Sequence, residues 1–283
     1  MVMCAECGLM KWLLTIVIIF ITHFPEKSGT IVYYAINNHN NSYGSIIRIV
    51  ELEYKKQGLH QIPVLCYHNI TKYKGKEGQL WISEGRLNEQ LKILHDSGYH
   101  TILPDQLYKH LTKEMALPSK PILLTFDDSH ESHFSLARPI MKRYGFKGVF
   151  FIMTVCIGKK NYMTSGQIKA LSDSGHVIGC HTYDHPAVTG LKGNQWERQI
   201  EKPKQTLERI TGKPVDYFAY PYGIWNDSAI KELKAYSFKA AFQLMGKQSK
   251  TDPLFTLHRL MVSGHSPPAE LEKNIKAAFK ETK

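Results

Sequence analysis

Two adjacent carboxylates, Asp127 and Asp128, close the apolar run Pro121-Ile122-Leu123-Leu124-Thr125-Phe126, and two imidazoles follow at H-x-x-x-H spacing in His181-Thr182-Tyr183-Asp184-His185-Pro186. Imidazole and carboxylate together suit a first-row divalent cation, and three protein ligands leave a coordination position for water. Such an ion lowers the pKa of its water and polarises a carbonyl, while a neighbouring carboxylate takes the water's proton. That is the chemistry of amide or ester hydrolysis. A leaving amine needs a proton returned to it, and His68, which ends Val64-Leu65-Cys66-Tyr67, is the best placed donor. The chain has 14 histidines, so the H-x-x-x-H pair alone says little; the paired acids at an earlier strand end give it weight. Neighbouring strand residues point to opposite faces, so Asp127 and Asp128 are expected to divide the work, one binding the cation and the other facing the substrate.

These groups need elements that bring them together. From Ile62 onward strands and helices alternate. Strands are expected near 62–67, 121–126, 148–153, 176–180, 217–220 and 238–242, and helices near 84–97, 132–144, 165–174, 194–211 and 227–236. Thr164 reads as an N-cap, and Gly145 and Gly175 as helix stops. Alternation of this kind predicts parallel strands with crossover helices, hence an α/β fold that is either a doubly wound sheet or a barrel, the barrel being favoured. In such barrels functional groups collect at the C-terminal ends of the strands, where Asp127, Asp128, His181, His185 and the Tyr220-Pro221-Tyr222-Gly223 run all fall.

With 283 residues, 43% of them hydrophobic, the chain can bury a sizeable core. Its 36 basic against 25 acidic residues give a net charge of +11. The excess suits an anionic membrane face or an acidic wall polymer, or simply a solvated surface. No dense basic run with interleaved aromatics appears, so nucleic acid is set aside. Met10-Lys11 followed by the apolar Trp12 to Ile21 has the form of an export signal or uncleaved anchor. We therefore expect a signal or anchor at 1–24, a polar extension at 25–59, a catalytic domain at 60–283, and a location outside the cytoplasm at the cell envelope. Cys66, Cys156 and Cys180 sit in apolar surroundings and read as buried thiols, while Cys4 and Cys7 precede the apolar stretch of the signal.

At Thr125-Phe126-Asp127-Asp128, His181-Thr182-Tyr183-Asp184-His185-Pro186 and Tyr220-Pro221-Tyr222-Gly223 the chain resembles the polysaccharide deacetylase family, carbohydrate esterase family 4, also called the NodB homology domain. The three motifs come in the family's order and spacing. Val64-Leu65-Cys66-Tyr67-His68 further resembles the opening motif of the circularly permuted branch that includes poly-β-1,6-N-acetylglucosamine deacetylases. The resemblance implies a distorted (β/α) barrel that removes acetyl groups from an N-acetylglucosamine-containing or other acetylated polysaccharide. It makes Asp127 the base, His68 the acid, and Asp128, His181 and His185 the ligands of a divalent metal. Zinc is the expected ion, with cobalt, nickel or iron as alternatives. The backbone N–H of Tyr222 would help hold the oxyanion.

Tyr183 and Trp225, and with them Tyr67 and Tyr222, are candidates for stacking on sugar rings. The chain departs from the family at Phe218-Ala219, where an arginine that orients the catalytic acid usually stands. Arg259 is the candidate replacement. The absent arginine motivates a second reading, a carbohydrate-binding relative without turnover; a third is an O-acetyl esterase acting on xylan or peptidoglycan. The polymer, its linkage and the oligomeric state are left open.

Overall fold

A strand covered on both faces must carry apolar side chains in both of its alternating sets, and the central strands here do. The computed structural model describes residues 62–113 and 115–279. Its main sheet contains β1 (Val64–Tyr67), β4 (His100–Thr101), β5 (Pro121–Phe126), β6 (Val149–Ile152), β7 (Val177–Cys180), β8 (Tyr217–Ala219), β9 (Ala240–Phe242) and β10 (Leu260–Met261). They run in the order β10-β1-β5-β6-β7-β8-β9, every pairing parallel, with β4 also on β5. A separate two-stranded ribbon joins β2 (Asn69–Thr71) to β3 (Trp81–Ser83).

The two ends of the main sheet meet through one short extended segment. Leu257 bridges Phe242 of β9, and three residues further on Leu260 and Met261 pair with Leu65 and Cys66 of β1. The result is the α/β barrel expected, distorted by a seam only one segment wide. Along the seam Leu257 and Arg259 are buried while His258 and Leu260 are partly exposed, the alternation of a half-covered strand.

One parity of the strand residues forms an inner cluster that includes Val64, Leu123, Val149, Phe151, Ala219 and Phe242. The other parity, with Leu65, Phe126, Phe150 and Phe218, packs outward against helix residues such as Leu91, Ile168 and Leu233. The interior is tight. A Cβ at Gly179 would stand 2.4 Å from the Phe151 ring, so β7 can approach β6 only with glycine there.

The helices are α1 (Glu84–Asp96), α2 (Pro104–Lys113), α3 (Arg138–Arg143), α4 (Ser165–Asp173), α5 (Lys202–Thr211), α6 (Asp227–Ala235) and α7 (Leu271–Ala278). Thr164 caps α4 in a full capping box with Gln167, and Gly145 and Gly175 take the left-handed φ of helix stops. The helices expected over 132–144 and 194–211 are each interrupted. Near its start each contains a π-turn, His133–Ala137 and Glu197–Glu201, which runs directly into α3 and α5. Pro139 and Pro203 explain both: in a continuous α-helix each ring would clash with the carbonyl four residues back, and a wider turn relieves it. The reading also missed the helices α2 and α7, and it missed β2, β3, β4 and the seam because two- and three-residue strands carry no measurable period.

The signal or anchor expected at 1–24, the extension at 25–59 and the Cys4/Cys7 pair lie outside the described residues. No helix among the described residues is long and apolar enough to cross a membrane. Cys66, Cys156 and Cys180 are buried and free.

Burial pushes His176 down to about 4, and its Nδ1 accepts the Gly148 N–H at 3.2 Å, a bond that only the unprotonated nitrogen can make. Because the folded value lies below the ordinary histidine value, the unfolded chain takes up the proton first as pH falls. The stability contribution is intact above about pH 6.5 and is lost progressively toward pH 4, up to roughly 3 kcal/mol. Denaturant titrations at pH 7.5 and 4.5 should show His176→Gln losing less stability between the two than the parent; an equal loss would remove this assignment.

Candidate active site

The inner parity of the barrel continues past the strand ends into the site. Asp127 follows Thr125 by two residues, His181 follows Gly179, and His68 follows Cys66, so all three inherit the inward direction. Asp127 is held in extension by its N–H donating to Tyr67 O at 2.9 Å. Asp128 and His185 are out of phase and come in by another route. Both have left-handed backbones, with φ of 74° and 69°, as do Thr182 at 67° and Tyr222 at 60°. Such conformations cost about 1–3 kcal/mol each for residues other than glycine and cluster where a site requires them. The Thr182 hydroxyl accepts the His185 N–H at 2.9 Å and closes that turn.

The expectation that Asp127 and Asp128 face opposite sides is thereby corrected. The strand stops at Phe126, and the turn at Asp128 swings its carboxylate back into the same cavity. His181 Nε2 lies 4.0 Å from Asp127 Oδ2 and 3.5 Å from Asp128 Oδ1.

Asp128 Oδ1 is also 3.6 Å from His185 Nε2, and the donor atoms of these three residues all lie within 4.8 Å of one another. Separations of 3.5 and 3.6 Å exceed good hydrogen bonds. They fit the edge of a tetrahedron whose ligands stand about 2 Å from a central ion, roughly 3.3 Å. The tautomer fits as well: His181 Nδ1–H donates to Ala219 O at 2.8 Å, which leaves the Nε2 lone pair facing inward. Burial draws the His181 imidazole down, but the Asp128 and Asp127 carboxylates outweigh it and raise it. Burial works against the Asp128 charge, yet His181, His68 and His185 hold that carboxyl well below the usual range. Burial, and then His181, keep His185 below its ordinary value.

Cys66, His68 and Asp127 form a second group of three donors within 4.8 Å. It is the poorer cation site. Arg259 Nη1 donates to Asp127 Oδ1 at 2.7 Å and to Thr125 Oγ1 at 3.2 Å, and Nε donates to Gln243 O at 3.0 Å. The guanidinium is buried, lies over the Phe151 ring at 5.4 Å, and already neutralises that carboxylate. Although burial pushes Asp127 up, Arg259 and then His181 hold it at about 2. Burial also drives the Cys66 thiol upward, so it stays protonated and donates to Asp127 Oδ2 at 3.5 Å. Of the two acids, then, Asp127 is paired to a fixed cation and Asp128 faces two imidazoles.

His68 is half-buried, and burial lowers its imidazole below the ordinary value against the pull of Asp127 and Asp128. Its Nδ1 has no hydrogen-bond partner among the described residues. Tyr222 is 61% exposed and packs edge-on against His185 at 4.6 Å, forming a rim beside the donor cluster. Trp225 is tied inward, its Nε1–H donating to Gln243 Oε1 at 3.0 Å. Tyr183 lies under the Arg198 guanidinium at 5.3 Å, and its N–H donates to Gln199 Oε1. Tyr67 is the clear correction: it is fully buried, stacks on Phe126 and donates to Gln90, so no sugar reaches it.

Thr125, Gln243, Gln199 and Cys66 were missed as site residues. Two-residue alternation from Asp127 would have found Thr125; the others follow only from strand neighbours and loop contacts.

A family model described as polysaccharide deacetylase matches residues 114–249. Among curated relatives, YxkH of Bacillus subtilis is 28% identical over 204 residues, covering 72% of each chain. The poly-beta-1,6-N-acetyl-D-glucosamine N-deacetylase of Staphylococcus aureus is 25% identical over 185 residues, 59% of this chain and 62% of that one. Among solved structures, the Streptococcus pyogenes deacetylase PplD superposes with a TM-score of 0.70 at 24% identity, over 76% of this chain and 98% of that one.

Proposed function

The chain carries a polysaccharide deacetylase domain, and on that premise we propose that it is a metal-dependent hydrolase that removes N-acetyl groups from an N-acetylglucosamine-containing polysaccharide. The observation that carries this reading is the unequal pairing of the two acids: Arg259 on Asp127, and His181 with His185 on Asp128. A divalent ion held by Asp128, His181 and His185 would supply Lewis acidity toward water and the acetyl carbonyl. Zinc is the ion we favour, because two imidazoles and one carboxylate suit it.

The chain's own groups divide the remaining work. Asp127 Oδ1 is occupied by Arg259, so Oδ2 takes the proton, and the low value of the carboxyl keeps it ionised at any working pH. His68 stands with Asp127 and returns a proton to the leaving nitrogen. The Tyr222 N–H adds a fixed dipole at the developing oxyanion. Tyr222, Tyr183 and Trp225 offer ring faces to the apolar C–H faces of sugars. Arg259 supplies the cation whose absence from Phe218-Ala219 motivated a binding relative without turnover.

We place the catalytic domain at 60–283, behind a signal or anchor at 1–24 and an extension at 25–59, with the protein exported to the cell envelope. Fractionation tests the location, and a purely cytosolic pool would overturn it.

The deciding experiment measures acetate release from β-1,6-linked N-acetylglucosamine oligomers, chitin, peptidoglycan and acetylxylan fragments. We expect release from at least one amino-sugar polymer, abolished by chelation and restored by zinc, cobalt, nickel or iron. Undiminished release in excess chelator removes the metal, and release from acetylxylan alone selects the esterase reading.

A further inference from the structure

The two π-turns each aim a polar side chain at a loop of the site. In Glu197–Glu201 it is Gln199, whose amide accepts the Tyr183 N–H and donates to Asp184 Oδ1 at 2.7 Å, bracing the loop between His181 and His185. In His133–Ala137 it is His133, the first residue of the turn, whose Nε2–H donates to the main-chain carbonyl of His68 at 2.5 Å. His133 is fully buried, between the rings of Phe126 at 5.5 Å and Phe150 at 6.0 Å. Its Nδ1 has no partner among the described residues. Packing alone would be served better there by phenylalanine or leucine, since a buried nitrogen without a partner opposes folding. What the imidazole adds is a single N–H.

That N–H falls where the sheet runs out. The last backbone bond between β1 and the chain leaving β5 is Asp127 N–H to Tyr67 O, and the next carbonyl of this strand is that of His68. The His68 ring has no hydrogen bond at Nδ1 to orient it, so the direction of its imidazole depends on its own backbone. We propose that His133 is a positioning residue for the reaction: it clamps the His68 carbonyl and thereby holds the His68 imidazole at the angle that delivers a proton to the leaving group. The proposal rests on the acid role given to His68 above.

A clamp on the acid should matter when the leaving group needs a proton and hardly at all when it does not. The test compares kcat for an N-acetylglucosamine oligomer with kcat for p-nitrophenyl acetate, whose phenolate leaves unassisted, in the same preparation of the full chain. The ratio is independent of how much of a variant is folded. His133→Phe is expected to lower the amide-to-ester ratio at least ten-fold. His133→Gln, which keeps an N–H donor, should return it to within about three-fold of the parent, since the donor and not the ring is what the clamp requires. His68→Ala sets the floor. If His133→Phe leaves the ratio unmoved while His68→Ala lowers it, the clamp is refuted and the acid assignment stands; if neither moves it, both fall. Failure of His133→Gln to restore the ratio also overturns the clamp, because shape and not the donated hydrogen bond would then be what matters.

Discussion

Asp127→Asn is expected to keep its metal and lose turnover by about 10²–10⁴-fold, the usual worth of a positioned acid or base. The substitution removes the proton acceptor at Oδ2 but leaves Asp128, His181 and His185 untouched, so metal content by elemental analysis should match the parent. Asp128→Asn and His181→Ala should show the reverse, with metal lost first and activity as a consequence. A stability penalty comes with Asp127→Asn. Arg259 is buried, and without its carboxylate it becomes an uncompensated charge, a change that typically costs about 3–5 kcal/mol. Rates must therefore be taken well below the melting transition, with circular dichroism as the control. A rate within a few-fold of the parent would show that Asp127 is not the base.

Arg259→Met should give the second largest effect, about a hundred-fold loss of turnover with metal retained, the lower end of what a positioned base contributes. Its signature is the pH profile. Burial pushes the Asp127 carboxyl up, and Arg259 is the chief group opposing it, followed by His181. Without the guanidinium the carboxyl must titrate at a higher pH, so the acid limb of the rate moves upward and activity is lost sooner as pH falls. Arg259→Lys keeps a charge but not the fork that reaches Asp127, Thr125 and Gln243 together, and should recover only part of the rate. An unmoved acid limb in Arg259→Met would mean that the pairing serves stability alone.

How much of this was legible beforehand depends on the range of the signal. The barrel was, because apolar runs bounded by glycine and polar caps recur at helix and strand lengths, and each is a local property. So were His181 and Asp127: they extend by two residues the inward parity of their own strands. Asp128 and His185 were found by residue type, but the reason they face the cavity was misjudged. Strand alternation ends at Phe126, and left-handed turns at Asp128 and His185 decide the direction. Pro139 and Pro203 were visible in the sequence; that the turns ahead of them would widen to aim His133 and Gln199 at the site was not.

The sequence by itself determined which kinds of atom the site would contain and at which strand ends they would stand, since ligand chemistry and alternation are read within a few residues. Only the tertiary structure shows how the two acids are partnered, Asp127 by a buried guanidinium and Asp128 by two imidazoles. The guanidinium is that of Arg259, 132 residues away along the chain from Asp127 and carried inward on the seam that closes the barrel. No local pattern encodes which buried cation will meet which buried carboxylate; the closure of the sheet brings them together.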